Sequence, residues 1–148
     1  METPTFEAIY TCIQEHFIEG HITTNATGTK ATKITKAVHL QRPPLAEHQE
    51  GRAKIGLYPF VDRFNVQWGA IDIDTYPVNH EEIAKNLEKA KVDYSWITKS
   101  TSGGCHIYFR YDEPVIAMLV RHELEAIAKK IGHGKSEIFP KQDKFQPE

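Results

Sequence analysis

Cysteine is scarce in this chain: Cys12 and Cys105 are its two, far apart in sequence. That excludes a disulfide framework or a cysteine-built zinc site, both of which need more sulfur at closer spacing. A reducing cytoplasm is the expected compartment. Long apolar runs are also missing. No stretch reaches the roughly 18 residues that cross a bilayer, so no membrane is expected as a partner. Met1-Glu2-Thr3-Pro4 has no basic region leading into an apolar one, so no secretory signal is expected. There is no low-complexity tract and no internal repeat. Charge of one sign is lacking too. The formal net charge is −2, which does not mark the whole chain as a nucleic-acid binder.

What is present fits one globular domain of 148 residues, 40% apolar and 26% charged. The charge is unevenly spread. From His21 to Ala46 there is no acid, while Lys30, Lys33, Lys36 and Arg42 are present. Such a stretch can meet phosphates, or it can be a solvated polar segment.

Periodicity divides the chain. Phe6, Ile9, Tyr10, Ile13 and Phe17 recur at helical spacing, predicting a helix over 5–19 that Gly20 ends. Residues 23–35, rich in Thr and Lys, predict a loop. Residues 37–40 predict one helical turn before Pro43-Pro44, and 53–60 a strand. A regular alternation follows. Strands are expected at 66–74, 94–98, 105–110 and 136–139. A helix capped by Asn79 runs to about 91, and a second follows Pro114 with Ile116, Leu119, Val120, Leu124, Ile127 and Ile131 on its apolar positions. The order β-α-β-β-α-β is that of an α+β, ferredoxin-like or RRM-like sheet. Residues 1–60 would be an N-terminal helical and β extension, and 61–148 the sheet, within a single domain.

Three segments carry candidate chemistry. In Ile71-Asp72-Ile73-Asp74, strand parity sends the isoleucines to one face and both carboxylates to the other. Paired carboxylates repel unless a cation or proton separates them, and their oxygens suit Mg²⁺ or Mn²⁺. A solvated strand end reads the same way in isolation. So does the Asp-x-Asp of metal-dependent glycosyltransferases, although the Ser-Gly-Gly-x-His strand has no role there. Ser100-Thr101-Ser102-Gly103-Gly104-Cys105-His106 can present backbone N–H and hydroxyl donors to phosphate, or it can be a plain hairpin turn. Glu137-Ile138-Phe139-Pro140-Lys141-Gln142 places Glu137 on the face opposite Ile138. Right-handed crossovers in a split βαβ sheet make the first and third strands central neighbours, with the fourth beside the first. Asp72 and Asp74 then sit between Glu137 and His106 on the face without helices. Carboxylates converging in this way are what two-metal phosphoryl transfer requires.

These three segments, in this order, resemble the motifs of the archaeo-eukaryotic primase superfamily, in its primase–polymerase branch of phages, plasmids and mobile elements. Ile71–Asp74 is similar to the acid-hydrophobic-acid motif, Ser102–His106 to the Ser-x-His-like motif, and Glu137–Gln142 to the Glu/Asp-x-Phe-Pro-x-Gln motif. His48-Gln49-Glu50-Gly51 and Ile55-Gly56-Leu57-Tyr58-Pro59 also resemble that branch, so the likeness runs from about residue 36 to the end. Ser136 stands where the family has a hydrophobic residue. The Gly-Asn…Leu-Pro stretch that follows in the family is missing, so a core shortened at its C-terminus is expected. The resemblance implies a DNA primase or polymerase, a nucleotidyltransferase in which Asp72, Asp74 and Glu137 hold two Mg²⁺ or Mn²⁺ ions. It implies that His106, with Ser102, Lys99 and Lys141, holds the incoming nucleoside triphosphate. It further implies contact of the Lys30–Lys54 region and Tyr58 with a single-stranded DNA template, and a helicase domain or subunit as a companion. The alternative is a primase-like module that binds nucleotide or nucleic acid without catalysis.

Overall fold

A computed structural model describes residues 20–23, 35–38, 46, 49–51, 54–57, 59–100 and 102–145. The chain divides into two compact units, Pro4–Tyr58 and a second that takes in Pro59–Glu148. In the first unit, β1 (Gly20–Thr23), β2 (Thr35–Val38) and β3 (Lys54–Leu57) form an antiparallel sheet in the order β2-β1-β3. The sequence predicts neither β1 nor β2. Ala37 and Val38 belong to β2, where a helical turn was expected. Each of these strands is four residues long, too short for periodicity to declare it, and its pairing is non-local. The expected helix over 5–19, the bulk of the 23–35 loop, and Lys30, Lys33, Arg42 and Tyr58 lie outside the described residues.

The second unit consists of β4 (Asn65–Ile73), α1 (His80–Lys89), β5 (Trp96–Lys99), β6 (Cys105–Ile116), α2 (Ala117–Lys130) and β7 (Glu137–Phe139). Its strands lie in the order β5-β6-β4-β7, every neighbour antiparallel. This is the β-α-β-β-α-β sheet expected from the sequence, with the first and third strands of the repeat central. Asn79 caps α1 as its spacing predicts, its side-chain oxygen accepting from the Glu82 N–H at 3.1 Å. Ile83 and Leu87 point inward from that helix.

Strand β6 runs six residues past its expected end and contains Pro114. Pro114 is tolerated because the β4–β6 register breaks there: Val66 pairs with Val115, but Trp68 pairs with Arg110. The extra residues on β6 bulge out of the ladder, where a missing N–H costs little. Gln67 is buried at the break and donates from Nε2 to the Asp112 carbonyl at 3.1 Å. Helix α2 therefore starts at Ala117, whose N–H donates to the Phe64 carbonyl.

Odd positions of β4 and β6 form the core. Ile71, Ile73, Cys105 and Ile107 are each at 0% exposure, and so are Val120 and Leu124 of α2, which packs over β4, β6 and β7. Burial pushes the Cys105 thiol up to about 11, leaving it an apolar filler and not a nucleophile. Gly69 sits under Val120 and Leu124 of α2. A Cβ there would lie 2.9 Å from Val120 Cγ1, Leu124 Cδ1 and the Phe139 carbonyl oxygen. Gly69→Ala is expected to cost about 1–3 kcal/mol by overpacking. Denaturant titration reads this as a lower midpoint at unchanged slope; an unchanged midpoint would mean that α2 has room to lift.

Candidate active site

The even positions of β4 from Trp68 on, of β5 and of β6 through Arg110 lie on the other face with Glu137 and Phe139 of β7, and the ladder arranges them in rows. Asp72 pairs with His106 on one side and Glu137 on the other, and His106 pairs in turn with Thr98. Directly opposed residues on antiparallel strands share a face, with their Cα atoms about 4.5–5.5 Å apart. The row therefore reads Thr98, His106, Asp72, Glu137. Asp74 lies just past the end of β4 and is exposed.

His106 Nε2 lies 3.2 Å from Asp72 Oδ1. With Nε2–H donating there, Nδ1 accepts from the Tyr108 hydroxyl at 3.4 Å. Burial pushes the Asp72 carboxyl up. The His106 ring opposes this, and the negative charges of Asp74 and Glu137 push it further up. The three acids thus feel one another electrostatically at Asp72. Glu137 Oε1 meets Lys141 Nζ at 2.6 Å, in a pair whose side chains are 49% and 57% exposed. Such exposed pairs contribute less than about 1 kcal/mol, so a ligand can displace this one.

Among the described residues, no group of three or more His, Cys, Asp or Glu side chains is gathered to hold a metal ion. The reason is visible in the pairings: Asp72 turns one oxygen to His106, and Glu137 turns one to Lys141. The donor set itself, carboxylate oxygens on adjoining strands, suits a hard divalent cation.

The loop between β5 and β6 forms a hydrogen-bonded turn. Three of its backbone donors face inward: the Ser100 N–H donates to the Gly104 carbonyl, Gly103 to the Ser100 carbonyl, and Gly104 to Ser100 Oγ at 2.8 Å. These three N–H groups close the turn and are not offered to phosphate. Gly103 adopts φ +89°, as the turn demands. At Gly104 a Cβ would lie 2.9 Å from the Ile73 carbonyl oxygen, so the neighbouring strand end requires glycine there. Ser102 is exposed and accepts from the Tyr76 hydroxyl at 3.0 Å. His80 Nε2 donates to the Gly104 carbonyl at 2.9 Å. Tyr76 and His80 thus brace the turn that leads into His106, a role the sequence reading did not assign them.

Lys99 is corrected. It pairs with Cys105, so its parity is opposite to that of His106. The expected strand stopped at residue 98 and left that parity unread. Lys141 does lie at the open face, with Nζ 5.1 Å from the centre of the Phe139 ring as well as on Glu137. A cleft of about 340 Å³ adjoins Glu137 and Lys141, lined also by Arg121, Lys129 and Ser136. The sequence did not single out Arg121 or Lys129, because the crossover that carries α2 to this edge is a tertiary feature. No helix among the described residues is long and apolar enough to cross a membrane.

A family model described as "TOTE conflict system, Archaeo-Eukaryotic Primase domain" matches residues 5–148. No curated protein matches the chain.

Proposed function

Because the chain belongs to the archaeo-eukaryotic primase domain family of TOTE conflict systems, we propose that it carries out template-directed nucleotidyl transfer, joining nucleotides along single-stranded DNA. The observation that supports this most directly is the register that sets Asp72 between His106 and Glu137 on one open face. Asp72, Asp74 and Glu137 are the residues that would hold two Mg²⁺ or Mn²⁺ ions. Bound there, divalent ions would supply the positive charge that stabilises the attacking and leaving oxygens of an in-line transfer.

The chain's own groups do the rest. His106, on the central strand beside Asp72, offers a ring N–H to a triphosphate oxygen once its contact with the carboxylate is released. Lys141, beside Glu137, and the Ser102 hydroxyl, in the turn before His106, would be the further phosphate contacts. The Tyr76 and His80 hydrogen bonds keep the loop before His106 in one conformation, which limits the reorientation needed on binding.

A non-catalytic nucleotide-binding module is the second reading. It is favoured by the engagement of Asp72 with His106 and of Glu137 with Lys141. Primer extension on a single-stranded template separates the two readings. With Mg²⁺ or Mn²⁺ and either deoxy- or ribonucleotides, the first reading expects template-dependent extension. Nucleotide binding without incorporation, under every metal and nucleotide tried, leaves the second.

A further inference from the structure

Next to the polar row lies an aromatic one. Trp96 pairs with Tyr108, Tyr108 with Ala70, and Ala70 with Phe139. This row is one same-face step from Thr98, His106, Asp72 and Glu137, which is about 6.6 Å along the strands. Trp96 and Tyr108 stack, with centroids 5.4 Å apart and planes at 27°. Trp68, one same-face step further along β4, tilts onto Tyr108 at 6.0 Å. The His106 ring meets the edge of Tyr108 at 6.1 Å. The aromatic cluster and the acid–histidine pair are therefore continuous.

These rings are not part of the helix-packed core. They occupy the even positions, and Trp68, Trp96 and Tyr108 all remain partly exposed, whereas the core ring of Phe60 is 2% exposed. Large flat rings held partly exposed beside a phosphate-directed polar row suit a flat partner with phosphate attached. The spacing between the rows is roughly that of a sugar between its phosphate and its base.

We propose that Trp68, Trp96 and Tyr108 form a stacking platform for an unpaired nucleobase whose phosphates lie along the His106–Asp72 row; this rests on the nucleotidyl-transfer reading and deepens it. Stacking on aromatic side chains is tolerant of sequence, because every base has a π-face. That tolerance suits an enzyme that must accept each nucleotide in turn. The base can belong to the incoming nucleotide or to a single strand, and the test distinguishes the two.

Both tryptophans of the chain are in this cluster. Intrinsic tryptophan fluorescence therefore reports on this site alone. The full chain is titrated, in Mg²⁺, with a nucleoside triphosphate and with inorganic triphosphate. It is titrated separately with a thymidine oligonucleotide and with an abasic oligomer of the same length. Base-bearing ligands should quench, and their base-free counterparts should not. Quenching by the nucleoside triphosphate alone assigns the platform to the incoming base, and quenching by the oligonucleotide alone to the strand. Trp96→Leu should weaken the base-bearing ligand by about 5- to 150-fold, the range of one lost stack. Trp96→Phe should restore most of it. Equal quenching by base-bearing and base-free ligands, no quenching by either, or a Trp96→Leu loss of equal size for the base-free ligand would overturn the platform. Base-dependent quenching in a protein that extends no primer refutes only the catalytic reading. Primer extension without base-dependent quenching refutes only the platform.

Discussion

Replacing Asp72 and Asp74 together by alanine is expected to abolish nucleotide incorporation while leaving the fold in place. Asp72 stands between His106 and Glu137 in the polar row and Asp74 lies two residues further on, so the double change removes two of the three proposed ligand groups. Transfer that depends on a metal-borne positive charge loses orders of magnitude without it. Stability should respond in the opposite sense. The Asp72 carboxyl is raised by burial and by the Asp74 and Glu137 charges, against the opposing pull of His106. A carboxyl raised in the fold binds its proton more tightly there than in the unfolded chain. Its contribution therefore favours the fold below the unfolded value and is lost as pH rises through the folded value. At neutral pH the charged Asp72 is a burden that alanine removes. The melting temperature of the double variant should equal or exceed that of the parent at pH 7, and this advantage should shrink as pH falls through the carboxylate range. Extension assays beside melting curves at two pH values check both halves. A sharply lowered melting temperature at pH 7 would make these acids structural, and retained incorporation would remove them from the reaction.

His106→Ala carries the second large effect. The ring stands between Asp72 and Tyr108, with Nε2 and Nδ1 engaged at 3.2 and 3.4 Å. As a proposed phosphate contact, its loss should weaken nucleoside triphosphate binding by about 1.5–3 kcal/mol, the range of a hydrogen bond to a charged group. Mn²⁺ binding measured without nucleotide should change little, since hard cations prefer oxygen ligands to a ring nitrogen. Calorimetric Mn²⁺ titrations with and without nucleotide separate the roles. If metal affinity falls in the absence of nucleotide, His106 belongs with the ligands and the phosphate assignment is wrong.

The alternation of β4, α1, β5, β6, α2 and β7 was legible because each element carries a local signal. Ile71 and Ile73 alternate with acids, Asn79 supplies a cap, and α2 repeats its apolar residues at helical spacing. Parity along a single strand also predicted which way Asp72 and Glu137 would face, because a strand's period of two is fixed by its backbone. Handedness of the crossovers then limited the sheet to one strand order, which the observed pairing matches.

Other features had no local signal. β1 and β2 are short strands defined by partners distant in sequence. The continuation of β6 through Pro114 depends on a register break with β4. The parity of Lys99, opposite to that of His106, is set by pairing with Cys105. The inward turn of the Ser100, Gly103 and Gly104 N–H groups is a matter of hydrogen-bond closure that composition does not reveal. The aromatic row was invisible for the same reason: Trp96 and Tyr108 are twelve residues apart, and only the β5–β6 register stacks them. The sequence by itself determined which residues alternate, where the helices lie and which side chains share a face within one strand, since these follow from backbone periods. Tertiary structure alone decided which faces meet, which donors are already spent and which rings stack, since those depend on long-range register and on the pairing of polar groups in space.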